Sequence, residues 1–119
     1  MRMKQAALVA IVGLLGVAAQ VLAHHSFDAQ YDESKSVALS GTVAKVSWKN
    51  PHVDVMLNVK DDSGNAMTWN LELGSPSILM KQGWKVDSLK SGDQITVTGF
   101  AAKDGSPILN ARKITVVGR

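Results

Sequence analysis

Three histidines, His24, His25 and His52, are the residues of this chain whose type and spacing best suit metal binding. If the chain is cleaved after Ala23, His24 presents an α-amino nitrogen and an imidazole from a single residue. His25 adds a second imidazole and a backbone amide nitrogen directly behind them. Copper(II) favours imidazole and amine nitrogens in a tetragonal arrangement. The spacing therefore predicts a metal site, with copper favoured over zinc or nickel.

The first 23 residues have the three-part layout of a secretory signal peptide. Arg2 and Lys4 precede an apolar run over residues 6–19, and Ala23 is a small residue suited to signal peptidase. The run is shorter than the about 20 residues that a helix needs to cross a bilayer. We therefore expect residues 1–23 to be removed, which would leave a periplasmic protein with no stable membrane anchor.

Composition narrows the class of protein further. Cleavage would remove two of the 13 basic side chains and none of the 10 acidic ones, which leaves a net charge close to zero. A nucleic-acid-binding domain normally carries a larger basic excess, so we expect no nucleic-acid partner. The chain has no cysteine, so its stability must come from a hydrophobic core. The length predicts one domain over residues 37–119, preceded by an N-terminal arm over residues 24–36.

Alternation of apolar and polar residues predicts the strands of that domain. A first strand runs from Ser36 to Trp48 and changes parity near Ala44 and Lys45, where we expect a bulge or sharp bend. Residues 53–73 alternate clearly on both sides of a polar turn and predict a hairpin. Two further strands are predicted over residues 94–102 and 108–117.

A short helix is predicted between the third and fourth strands. Ser75 is placed to cap it, Pro76 suits the first helical position, and Gly83 ends it. The resulting order, β-β-β-α-β-β with a long bent first strand, is typical of a five-stranded OB-like barrel. A small sandwich of another topology is the alternative. The fold class predicted is therefore all-β with one short helix.

The polar face of the hairpin supplies the remaining candidate ligands. His52, Asp54 and Met56 share one face of the second strand, and Glu72 lies in the third. We take Glu72 and Met56 as additional candidate metal ligands beside the three histidines. A simpler interpretation makes His52 a surface or turn residue after Pro51, and Asp54 and Glu72 solvated carboxylates.

Large apolar side chains are expected mainly in the core. Methionines fill cores readily, so we expect packing to be the role of Met56, Met67 and Met80. The same role is expected of the three tryptophans, Trp48, Trp69 and Trp84. Trp48, beside the bend, could instead line a surface cleft. An alternative binding surface for a peptide, glycan or small molecule would then comprise Trp48, Asn50, His52, Asn70 and Glu72.

No catalytic signature is present. The chain lacks a nucleophile elbow, a phosphate-binding loop, an H-E-x-x-H zinc motif and a C-x-x-C pair. An enzyme is therefore not the expected class, although a copper site with an N-terminal histidine can itself be redox active.

Several short motifs along the mature chain together resemble a family of small exported bacterial proteins of uncharacterised function. They include His24-His25-Ser26-Phe27, Gly41-Thr42-Val43, Asn50-Pro51-His52, Gly74-Ser75-Pro76, Gly83-Trp84, the segment 88–93 and the segment 103–106. The resemblance covers essentially the whole mature domain. It implies a periplasmic location and an OB-like barrel, with H-H-S-F and N-P-H as shared features, and it implies no activity.

The sequence thus predicts a periplasmic copper-binding module that acts as a carrier, a buffer or an accessory to a larger redox system. Its ligands would be His24, His25 and His52. The alternatives are a barrel that binds a peptide, glycan or small molecule, and a structural protein partner in an envelope complex.

Overall fold

The computed structural model describes Phe27 and residues 29–119, and the predicted signal segment, His24 and His25 lie outside the described residues. Five strands and one short helix follow in the predicted order: β1 Tyr31–Ser47, β2 Asp54–Lys60, β3 Ala66–Glu72, α1 Pro76–Lys81, β4 Gln94–Ala102 and β5 Ile108–Val116. Within this described part of the chain, no helix has the length and apolar character needed to cross a bilayer.

The five strands close into a barrel in the order β1-β2-β3-β5-β4. All neighbouring pairs are antiparallel except β3 and β5, which run parallel. Closure depends on β1, whose 17 residues pair with β4 along one part and with β2 along another. This connectivity confirms the predicted OB-like barrel.

A bulge lets β1 turn from one neighbour to the other. The β1–β2 register shifts between Val43 and Lys45, where the parity change predicted it. Just before the bulge, a Cβ atom at Gly41 would collide with the carbonyl oxygen of Asn58. Glycine at this position therefore allows the two backbones to approach closely.

The first strand begins at Tyr31 rather than at Ser36, so the predicted boundary between arm and strand is wrong. Tyr31 already pairs with Ala102 of β4. Residues 33–36 are exposed, so packing does not impose an apolar alternation on them. The strand in this segment has no period-2 signature for that reason.

Inward-facing aliphatic side chains from all five strands form the core, among them Val43, Val55, Leu57, Leu71, Ile95, Val97 and Leu109. The tryptophans Trp48, Trp69 and Trp84 are half-buried and pack against it, as predicted. Met67 and Met80 are exposed, so their assignment to packing is wrong. The helix has only six residues and buries only Leu79, which leaves Met80 in solvent.

The helix termini follow the sequence prediction. Ser75 Oγ accepts a hydrogen bond from the backbone N–H of Ile78 at 3.3 Å, and Pro76 occupies the first turn. Gly83 adopts a φ of 95°, which ends the helix in the left-handed region. The backbone N–H of Trp84 then donates to the carbonyl of Leu79 at 2.9 Å.

Candidate functional site

Strand pairing brings Asp54 and Glu72 side by side. Asp54 opens β2 and Glu72 ends β3, and the register pairs the two residues directly. Val53 and Val55 are buried in the barrel, so the alternation of the strand turns Asp54 to the opposite face. Two carboxylates therefore adjoin each other on the outside of the barrel wall.

The imidazole of His52 lies against both carboxylates. Its Nδ1 atom is 3.4 Å from Oδ1 of Asp54, and its Nε2 atom is 3.7 Å from Oε1 of Glu72. Neither approach has the geometry of a hydrogen bond. The side chain of His52 is 35% exposed, whereas those of Asp54 and Glu72 are only 19% and 22% exposed. The carboxylates are thus more shielded than the solvated pair expected from the sequence.

Tyr31 completes the cluster from the start of β1. Its hydroxyl donates a hydrogen bond of 2.6 Å to Oε2 of Glu72, and the tyrosine is only 2% exposed. Burial raises the pKa of the Tyr31 phenol, and the hydrogen bond to Glu72 and the negative charges of Glu72 and Asp54 raise it further. Tyr31 falls in the predicted arm, because no local sequence pattern connects it with Glu72, 41 residues away.

Three buried side-chain atoms of the described residues have no hydrogen-bond partner: Nδ1 of His52, Oδ1 of Asp54 and Oδ1 of Asn110. Buried polar atoms in folded proteins are almost always hydrogen-bonded. Asn110 is paired with Glu72 across the parallel β3–β5 ladder. Asp54, Glu72 and Asn110 therefore form a row of polar residues across three neighbouring strands. Asn110 is not among the predicted site residues, since only the strand order places it beside Glu72.

Of the other predicted site residues, Met56 lies in β2, Asn70 in β3, and Trp48 and Asn50 in the loop before β2, whereas His24 and His25 lie outside the described residues. Met56 is half-buried on the same face of β2 and is paired with Asn70. Asn70 is half-buried, and its backbone N–H donates to the carbonyl of Pro107 at 2.9 Å. Asn50 is exposed and precedes a cis peptide bond to Pro51. In residues 27 and 29–119, no three His, Cys, Asp or Glu side chains form a ready metal-ligand group.

The chain belongs to the family of unknown function DUF6152, whose model matches residues 10–109. This agrees with the resemblance to an uncharacterised family. A search of curated proteins found no match.

Two solved structures illustrate the fold that this chain shares. One is the mitochondrial single-stranded DNA binding protein Rim1 of S. cerevisiae, with 10% identity and a TM-score of 0.54 over 70% of this chain and 93% of that one. Another is the N-terminal domain of PriB from Thermoanaerobacter tencongensis, with 17% identity and a TM-score of 0.53 over 73% of this chain and all of that one. At these identities the likeness establishes the OB fold alone.

Proposed function

We propose that this protein is an exported, periplasmic OB-barrel module that binds copper(II) through His52 together with His24 and His25. It would act as a carrier, a buffer or an accessory to a larger redox system. The observation that supports the proposal most is the position of the His52 imidazole, between two carboxylates with no hydrogen bond to either.

The two carboxylates suit His52 to the role of a metal ligand. A histidine that binds a metal through one ring nitrogen usually donates the N–H of the other to a carboxylate or carbonyl. Nδ1 of His52 is buried and faces Oδ1 of Asp54 at 3.4 Å, so Nε2 is the ring nitrogen available to bind the ion. The negative charge of Asp54 and Glu72 also favours a cation at this position.

The described side chains alone do not supply a complete ligand set. His24 and His25 would supply the remaining nitrogen donors, with Glu72 and Met56 as additional candidate ligands. Six residues lie between His24 and Tyr31, so this length of chain can extend at most about 25 Å. An N-terminal histidine contributes its α-amine only if the signal segment is removed after Ala23.

Isothermal titration of the mature protein with copper(II) tests this proposal, once mass spectrometry has shown that the protein begins at His24. We expect one tight stoichiometric site that weakens by orders of magnitude in His24→Ala and in His52→Ala. Met67→Leu is the matched control, because it removes an exposed thioether of the same hairpin. Unchanged affinity in His52→Ala would show that only the N-terminal segment chelates copper and would overturn the barrel site.

A second candidate is a barrel that binds a peptide, glycan or small molecule through Trp48, Asn50, His52, Asn70 and Glu72, or a structural partner in an envelope complex. Its supporting observation is the unpartnered acceptor oxygen of Asp54 beside these residues. Capture of a partner or ligand from periplasmic extract that persists in a chelator would favour this candidate over copper binding. One of the two solved neighbours is named for single-stranded DNA binding, but the small predicted net charge gives no support for that role here.

A further inference from the structure

A groove separates α1 and the loop after it from strand β5. One part is a cavity of about 270 Å³, bordered by apolar side chains such as Leu73, Leu79, Trp84 and Ile114 and by the polar side chains of Gln82 and Arg112, with more polar than apolar surface exposed to it. A second cavity of about 250 Å³ shares Gln82, Trp84 and Ile114 with the first. Each cavity is slightly smaller than the about 300 Å³ at which ligand pockets begin, so a ligand would have to occupy both. We call the two cavities the α1–β5 groove.

Arg112 borders the first cavity, and the local backbone explains its position. In the β4–β5 ladder, Thr98 pairs with Lys113 and Gly99 pairs with Ala111, so Arg112 is the extra residue of a bulge. Such bulges redirect a side chain and change the parity of the strand. Ala111 and Ile114, three positions apart, both pack against the core as a result.

The guanidinium of Arg112 is oriented but has no acidic partner among the described residues. It lies 5.6 Å from the centre of the Phe100 ring, a contact that leaves its N–H groups available in the plane of the group. The ion pairs of the described residues involve Lys35, His52 and Arg119 rather than Arg112. No described Asp or Glu lines either cavity.

We propose that the α1–β5 groove binds a small amphiphilic carboxylate of the medium-chain fatty-acid type. Its alkyl part would lie against Trp84, Leu79 and Ile114, and its carboxylate would accept two hydrogen bonds from Arg112. An arginine suits this role because its planar N–H groups match a carboxylate bidentately. The amide of Gln82, which borders both cavities, is a second donor for the head group.

The test is a titration of the metal-free mature protein with sodium decanoate below its micelle concentration, followed by amide chemical shifts in ¹H–¹⁵N NMR spectra. We expect saturable shifts centred on Gln82, Trp84 and Ile114. Methyl decanoate, which keeps the chain and loses the charge, should bind at least about tenfold more weakly, as a lost charge-assisted pair implies.

Two variants of β5 isolate the role of Arg112. Arg112→Gln should weaken decanoate binding at least about tenfold, whereas Lys113→Gln should change it less than twofold. Both remove one positive charge from adjacent exposed residues, but Lys113 does not border either cavity. Thermal unfolding of each variant verifies that it is folded.

Any one of the following results would overturn the proposal. The first is an equal loss of affinity in the two variants, which would indicate a general charge effect. The second is a set of shifts that lie outside the groove, or equal binding of the methyl ester. The third is Arg112-dependent binding to vesicles of phosphatidylglycerol without binding to decanoate, which would assign the groove to a membrane surface. None of these results depends on copper.

Discussion

The hydroxyl of Tyr31 donates a 2.6 Å hydrogen bond to Oε2 of Glu72, and this contact ties the start of β1 to the end of β3. The other oxygen of the same carboxylate faces Nε2 of His52. The buried phenol therefore sets the orientation of the carboxylate that adjoins the candidate ligand. The same contact gives the first two predictions.

Titration of the phenol should show this environment directly. Tyr31 is the only tyrosine of the chain, so the rise in absorbance near 295 nm with pH reports it alone. We expect a pKa well above the ordinary value of about 10 in the folded protein and an ordinary value in urea. Glu72→Gln should lower the folded value only partly, because burial is the larger cause. An ordinary pKa in the folded wild type would contradict the buried contact.

The raised pKa of Tyr31 also predicts how the stability of the protein depends on pH. Because folding raises the pKa of Tyr31, its contribution to the free energy of unfolding is complete below pH 10 and decreases as the pH rises above that value. Tyr31→Phe should lower the free energy of unfolding at pH 7 by about 1–2 kcal/mol, since a hydrogen bond to a charged group is lost. Urea denaturation of the wild type and the variant at pH 7 measures this loss. Thr68→Val, which removes an exposed side-chain hydrogen bond to Asn58, should cost less than about 0.5 kcal/mol.

Asp54→Asn should stabilise the metal-free protein at pH 8. Asp54 stands directly opposite Glu72 and has a buried oxygen with no partner. Like charges paired across strands are unfavourable by some tenths of a kcal/mol, and the amide removes this repulsion without changing shape. We expect a gain of about 0.5–1 kcal/mol in urea denaturation. A loss of stability would mean that the carboxylate has a structural role instead of one in binding.

Gly41→Ala should be strongly destabilising, because the new methyl group would collide with the carbonyl of Asn58 in the β1–β2 ladder. We expect a loss of about 3 kcal/mol or more, within the range for overpacking a site that cannot shift. Gly74→Ala is the control, since its methyl group would make ordinary contacts with Ile78 and Leu79. Equal melting temperatures for the two variants would disprove the close approach.

Asp93 provides a test of the turn before β4. The backbone N–H of Lys90 and, to a smaller extent, the guanidinium of Arg119 hold the pKa of the Asp93 carboxyl below its usual range. The associated stabilisation is present above pH 4 and is lost as the pH falls through the lowered value. In an NMR titration, Arg119→Gln should raise this pKa partly toward normal. The pKa of Asp104, which is lowered by Ser106, should stay the same.

The sequence by itself determined the features that depend on local patterns. Alternation located the hairpin of β2 and β3, and Ser75, Pro76 and Gly83 located the helix between their caps. The parity change in β1 indicated its bulge. These signals suffice because each depends on residues a few positions apart, and the order of such elements is distinctive of an OB barrel.

Only the tertiary structure decided which side chains meet. Tyr31 reaches Glu72, and Asn110 lies beside Glu72, because the barrel closes with β3 parallel to β5. The bulge that places Arg112 at the groove depends likewise on the register of β4 against β5. Registers of strands distant in sequence arise from the packing of the whole barrel, and no short stretch of the chain encodes them.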